Sequence, residues 1–153
     1  KKLNRESDFR KISKEVPQFP VIPEMQTIYE YLTEDLINPD KNKIFKMLKT
    51  FNLDQIIDRI DKPAGTMKSN LSGGMLQRLA IVRAIISPYK PIVILDECTS
   101  ALDNKNINIV LDQIFKNFSN CILVLSSHKE VEKELFNKHL FIKSRKLNTE
   151  DIN

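Results

Sequence analysis

Two short apolar runs constrain this chain more than anything else in it: PIVILDE at 91–97 and CILVLSSH at 121–128. Neither alternates between apolar and polar residues. Each is therefore predicted as a strand covered on both faces, the pattern of a parallel sheet sandwiched by helices. Between them, Ile107, Val110, Leu111, Ile114, Phe115 and Phe118 form an unbroken i, i+3, i+4, i+7, i+8, i+11 stripe, so a helix is predicted from Asn104 to Phe118. A short helix from Lys129 to Asn137 and a third strand at about Leu140–Lys143 would complete a strand, helix, strand, helix, strand order. That order is the α/β signature of crossovers onto a parallel sheet. The polar tail KLNTEDIN is predicted to fray.

The first half reads differently. Asp8 to Val16 carries apolar Phe9, Ile12 and Val16 and reads as a short strand. Pro17, Pro20 and Pro23 force the next stretch into an extended loop. Helices are then predicted from about Gln26 to Leu36, after Asp40 with Ile44, Met47, Leu48 and Phe51 on one face, and from Leu53 with Ile56, Ile57 and Ile60. DKPAGTMKSN reads as a polar loop. Ser72 is the expected N-cap of a helix from Gly73 to Ile86, which Ser87-Pro88 ends.

Composition narrows the function classes. At 153 residues the chain has the size of one domain. Its formal charge of +4 comes from lysines scattered along the chain, with Arg, the residue suited to bidentate phosphate and base contacts, in the minority. No direct nucleic-acid partner is expected. The longest apolar runs are far shorter than the ~20 residues a bilayer requires, and no signal peptide is visible. Cys98 and Cys121 lack metal or redox spacing and suit a reducing, cytosolic setting. A first residue of Lys suggests an excerpt of a longer reading frame.

Ligands of open α/β sheets bind beyond the carboxyl ends of the strands, and both apolar runs end in reactive side chains. Asp96 and Glu97 are adjacent, so a regular strand would point them to opposite sides, one free to hold Mg²⁺ and the other to act as a base. His128 follows Ser126-Ser127 and could bond a transferring phosphoryl oxygen. Gln18, in the proline-rich loop, offers a neutral amide to a metal or a water. Ser72-Gly73-Gly74 offers a hydroxyl, free N–H groups and the positive end of a helix dipole to an anion. Only Gly65, Gly73 and Gly74 are glycines, and no pair has the spacing of G-x-x-x-x-G-K-[ST].

VPQFP, NLSGGMLQR, IVILDE, TSALD and SSH occur in that order. From about Lys11 to Lys143 the set resembles the nucleotide-binding domain of the ABC (ATP-binding cassette) ATPases. The resemblance implies a partial P-loop NTPase, RecA-like sheet with an inserted helical subdomain. Residues 1–18 and 88–153 would belong to the ATPase core, and 19–87 to the helical subdomain. It also implies ATP and Mg²⁺ as ligands, with Gln18 as the Q-loop glutamine, Asp96 as the metal-associated aspartate and Glu97 as the general base. His128 would be the switch histidine, Asp103 the D-loop aspartate coupling two domains, and Ser72, Gly73 and Gly74 the signature offered to a facing domain. The partners implied are a second nucleotide-binding domain and the transmembrane domains of a transporter, which puts the chain on the cytoplasmic face of a membrane.

TIYEYL and TSALD lean toward exporters. Three features depart from the pattern. Met75 stands where the family usually has Gln, V-G-E-x-G is missing ahead of the signature, and the chain holds no Walker A loop. The missing strand would leave a slot in the sheet and expose apolar surface. Two other readings follow: a non-enzymatic half-domain giving its signature in trans, and a non-transport ABC ATPase of chromosomes, repair or ribosomes.

Overall fold

The computed structural model describes residues 6–67, 71–128, 136–143 and 146–151. The elements are α1 (Glu6–Ile12), β1 (Ser13–Val16), α2 (Ile28–Thr33), α3 (Lys41–Thr50), α4 (Asp54–Ile57), a 3₁₀ turn at Ala64–Met67, α5 (Gly73–Ile86), β2 (Ile92–Asp96), α6 (Asn104–Asn117), β3 (Ile122–Ser126), β4 (Lys138–Lys143) and β5 (Lys146–Asp151).

Short polar residues start most of the helices, as their chemistry dictates. Thr27 and Glu30 exchange a reciprocal capping box ahead of α2, at 3.0 and 2.8 Å. Asp40 accepts from the amides of Asn42 and Lys43, Ser72 from that of Met75, and Asp103 from that of Asn106. Each bond satisfies an amide that the first helical turn leaves without an intrahelical partner.

β1, β2 and β3 form a parallel sheet in that order, with β2 central. The register sets Val16 beside Leu95, and Asp96 beside Ser126. The three strands therefore end together. This is the α/β parallel-sheet architecture expected. α5 joins the two halves of the chain: it packs on α2 and α3 on one side and on β1 and α6 on the other. Leu79 and Ile81 of α5 share one continuous core with Ile28, Leu32, Ile44, Leu48 and Phe51 from the helices and with Leu95 and Ile114. Lys14 of β1 donates to the Ala84 and Ser87 carbonyls at the end of α5, at 2.8 and 3.3 Å, where a cation meets the negative end of the helix dipole.

Several expectations are corrected. The segment 8–16 is not one strand. Phe9, Ile12 and Val16 fall at helical spacing, and residues 6–12 form α1, leaving only 13–16 as β1. The helices at 28–33 and 54–57 are shorter than the apolar pattern suggested. The third strand does not join the parallel sheet, and residues 146–151 of the tail are not frayed: β4 pairs antiparallel with β5, from Lys138 opposite Asp151 to Lys143 opposite Lys146. A connection of two residues can close only an antiparallel pair. Ladder bonds use backbone groups, so a polar tail can supply them. The helix expected from Lys129 lies almost wholly outside the described residues.

β3 is not doubly covered either. It is an edge of the sheet, with Ile122 64% and Val124 47% exposed. Apolar surface at this edge is what a sheet lacking the next strand was expected to leave.

Candidate functional site at the strand ends

The common end of the three strands gathers four of the residues singled out from the sequence. Gln18 lies two residues past β1, Asp96 closes β2, Glu97 follows it, and His128 lies two residues past β3. Asp96 accepts a short hydrogen bond on Oδ1 from the Ser126 hydroxyl. Glu97 has a φ of 47°, the left-handed region that costs a residue with a side chain on the order of 1–3 kcal/mol. That turn ends the strand and breaks its alternation. Asp96 and Glu97 therefore do not diverge as a continued strand would require; both meet the tip of β3. The Glu97 amide donates to the Ser126 carbonyl at 3.2 Å and to its Oγ at 3.1 Å. Its carboxylate is nearly buried, with Oε1 3.4 Å from Nε2 of a His128 whose side chain is 94% exposed.

This arrangement suits water activation beside an anionic ligand. A carboxylate held in a dry corner can take a proton, and an exposed imidazole at its rim can meet a ligand oxygen. Asp96 and Gln18 offer hard oxygens of the kind Mg²⁺ selects. No cluster of three or more His, Cys, Asp or Glu suited to a metal exists among the described residues. One carboxylate and one amide oxygen suit an ion that keeps waters and takes phosphate oxygens for its remaining positions.

The other residues are elsewhere. Asp103 is exposed and caps α6 through the amide and side chain of Asn106, at 2.9 and 3.0 Å; those bonds, the backbone one foremost, hold its carboxyl below the usual carboxylate range. The start of α5 lies against the loop that follows Glu97. A Cβ at Gly74 would sit 2.7 Å from the Ala101 carbonyl oxygen, whereas one at Gly73 would meet nothing nearer than 3.8 Å. The bareness of Gly74 therefore serves contact within the chain, while at exposed Gly73 a Cβ would make only ordinary van der Waals contact with Ala101. Asn70 lies outside the described residues. Met75 is half-buried, its sulfur 4.0 Å from the Gln55 amide.

An ABC transporter family model matches residues 1–100. The chain belongs to the ABC transporter family. Over 107 residues it is 35% identical to an ATP-dependent lipid A-core flippase of Neisseria meningitidis serogroup B, covering 67% of this chain and 17% of the flippase. An ABC transporter A family member 4 of Dictyostelium discoideum is 28% identical over 144 residues, 91% of this chain and 9% of that protein. The ABC fold is equally plain in a solved bacterial Atm1-family exporter with ATP bound, at a TM-score of 0.78 and 23% identity over 93% of this chain and 25% of the exporter. The chain thus spans 17% and 9% of these two transporters and a quarter of the solved exporter. No helix among the described residues is long and apolar enough to cross a membrane.

Two residues of this ABC domain escaped the sequence reading. Gln77 and Arg78 on α5 are both buried, at 1% and 8% exposure. Gln77 sits between the proline-rich loop and the loop after β2, bonded to both. Arg78 has an unpartnered Nε; burial lowers its affinity for a proton, and Asp103 is the charge that opposes this. The signal was present: two polar residues at the heart of an apolar helix must find partners when buried.

Proposed function

We propose that this chain is the C-terminal two-thirds of the ATPase domain of an exporter-type ABC transporter, and that it hydrolyses ATP within the full-length protein. The observation that carries this is the convergence of Gln18, Asp96, Glu97 and His128 at the end of one parallel sheet, in a chain of this family. Residues 1–18 and 88–153 form the ATPase core and 19–87 the helical subdomain. Glu97 accepts the proton of the attacking water, worth roughly 10²–10⁴ in rate for a positioned base. His128 donates to a γ-phosphate oxygen. Asp96 and Gln18 would hold Mg²⁺, which supplies charge neutralisation to the phosphates when bound.

Ser72 and Gly73, both exposed, face outward to the nucleotide of a second domain, and Gly74 behind them seats the helix start on Ala101. Ser72 still has its hydroxyl proton to donate, because its oxygen only accepts in capping α5. Asp103, at the loop packed on α5, couples the two domains. Phe19, Val21 and Met25 are 78%, 76% and 87% exposed beside an apolar cavity of about 180 Å³ lined by Pro20, Ile22, Leu71 and Leu76. That surface favours a seat for transmembrane-domain helices, which sets the domain on the cytoplasmic face of its membrane.

The test is turnover by the full-length protein with MgATP. Glu97→Gln should lower kcat at least 100-fold and keep ATP binding. Unchanged turnover would remove Glu97 from the reaction, and absence of any ATP binding would favour a half-domain that serves a partner's nucleotide in trans.

A further inference from the structure

We propose that Gln77 is a positioning residue for the Glu97 base, linking its geometry to the start of α5. This rests on the reading of Glu97 given above. Gln77 Nε2 lies 3.1 Å from the Gln18 carbonyl, 3.2 Å from the Glu97 carbonyl and 3.0 Å from Ser100 Oγ. Its Oε1 accepts from the Ala101 amide at 3.1 Å, which sets the orientation of the side chain. One amide therefore touches the proline-rich loop, the base itself and the loop that packs on Gly74.

Glu97 shows why this matters. Its left-handed backbone is held from both sides, the N–H by Ser126 and the C=O jointly by Gln77 and the Ser100 amide. A strained conformation persists only where its surroundings over-determine it. Without Gln77 the carbonyl keeps only the Ser100 amide, a partner in its own turn, so the peptide loosens against the rest of the fold and the carboxylate shifts from the position that faces His128.

The amide also has fewer protons than acceptors. Two N–H groups face three acceptors, so only two can be fully served at once. Gln77 lies four residues after Gly73 on a rigid helix. Movement of the helix start against Ala101 therefore redistributes those protons between the Gln18 loop, the base and Ser100. Engagement of the Ser72–Gly74 end would be read at Glu97 through this one side chain.

A residue that merely filled a buried space would change stability alone; a positioning residue changes kcat. Gln77→Glu keeps the shape and the acceptor for Ala101 but donates nothing. In the full-length protein it should lower kcat for ATP at least tenfold, with KM for MgATP within about twofold and the melting temperature still that of a folded protein. Ser100→Asp, at an exposed position, covers the case in which Gln77→Glu does not fold. Its carboxylate draws the Nε2 protons from the Glu97 carbonyl, and kcat should fall severalfold with KM held. The proposal is overturned if kcat stays within twofold of wild type in folded Gln77→Glu, or in Ser100→Asp where Gln77→Glu is not folded. Glu97→Gln is measured alongside. If it too leaves turnover intact, the assignment of the base has failed; if it abolishes turnover while the other variants do not, only the role of Gln77 has.

Discussion

β2 and β3 are close to the same peptide, IVILD and ILVLS, paired side by side in register, yet they live in different environments. Val93 and Leu95 of β2 have no exposure at all, while their register partners Leu123 and Leu125 of β3 are only half-buried, and on the opposite face Val124 is open to solvent where its partner Ile94 is half-buried. Hydrophobicity measures how much a strand gains from burial and says nothing about whether a neighbour is there to bury it. β2 has strands on both sides; β3 has one. The same chemistry is core in one place and surface in the other, and the catalytic reading depends on both, because Asp96 and Glu97 end the first and Ser126 and His128 follow from the second.

Charge insertion tests this comparison most severely. Val93→Asp should cost more than about 4 kcal/mol, since it leaves an unpaired carboxylate in the core. Val124→Asp, on the opposite and exposed face of the neighbouring strand, should cost less than about 1 kcal/mol. Urea denaturation measures both, and equal losses would mean that β3 is covered in solution. The start of α5 should show a smaller contrast. Gly74→Ala forces a methyl onto the Ala101 carbonyl and should destabilise by about 1–3 kcal/mol, whereas Gly73→Ala should stay within about 0.5 kcal/mol. Similar melting temperatures for the two variants would mean that the loop after β2 yields to accommodate the methyl.

The cysteines near the two strands give the mildest test. Cys98, just after β2, is buried, and desolvation pushes its thiol from an ordinary value of 9.0 up to about 12. The folded state therefore holds that proton more tightly than the unfolded one. The stability this contributes is complete below pH 9 and is lost as pH rises from about 9 to about 12. Cys121, just before β3, is only half-buried. At pH 9 a thiol-alkylating reagent should label Cys121 well before Cys98; equal labelling rates would show that the segment after β2 opens.

Much of the site was legible because it is local. Asp96 and Glu97 close an apolar run, His128 and Ser126 close another, and in a parallel sheet such ends fall together. α5 was legible from Ser72 to Ile86 for the same reason, since a cap, an apolar stretch and Ser87-Pro88 are all written in sequence. Gln77 was passed over because its importance lies in three acceptors supplied by segments 20 to 59 residues away. The opposed directions expected for Asp96 and Glu97 failed on a single torsion, which the Ser126 and Gln77 contacts impose from outside. The β4–β5 pairing was missed because a polar tail carries no apolar pattern, and its strand is made by the backbone bonds of a partner.

The sequence alone determined the starts of α3, α5 and α6, the two apolar strands, the order of the chemical groups along the chain and the family they resemble, because each depends on residues within a turn or a strand of one another. Tertiary structure alone decided which strand is central, why Gly74 must lack a side chain, how Glu97 is turned toward His128 and what Gln77 holds. These are contacts between segments far apart in the chain, and their energies exist only once folding has brought the segments together.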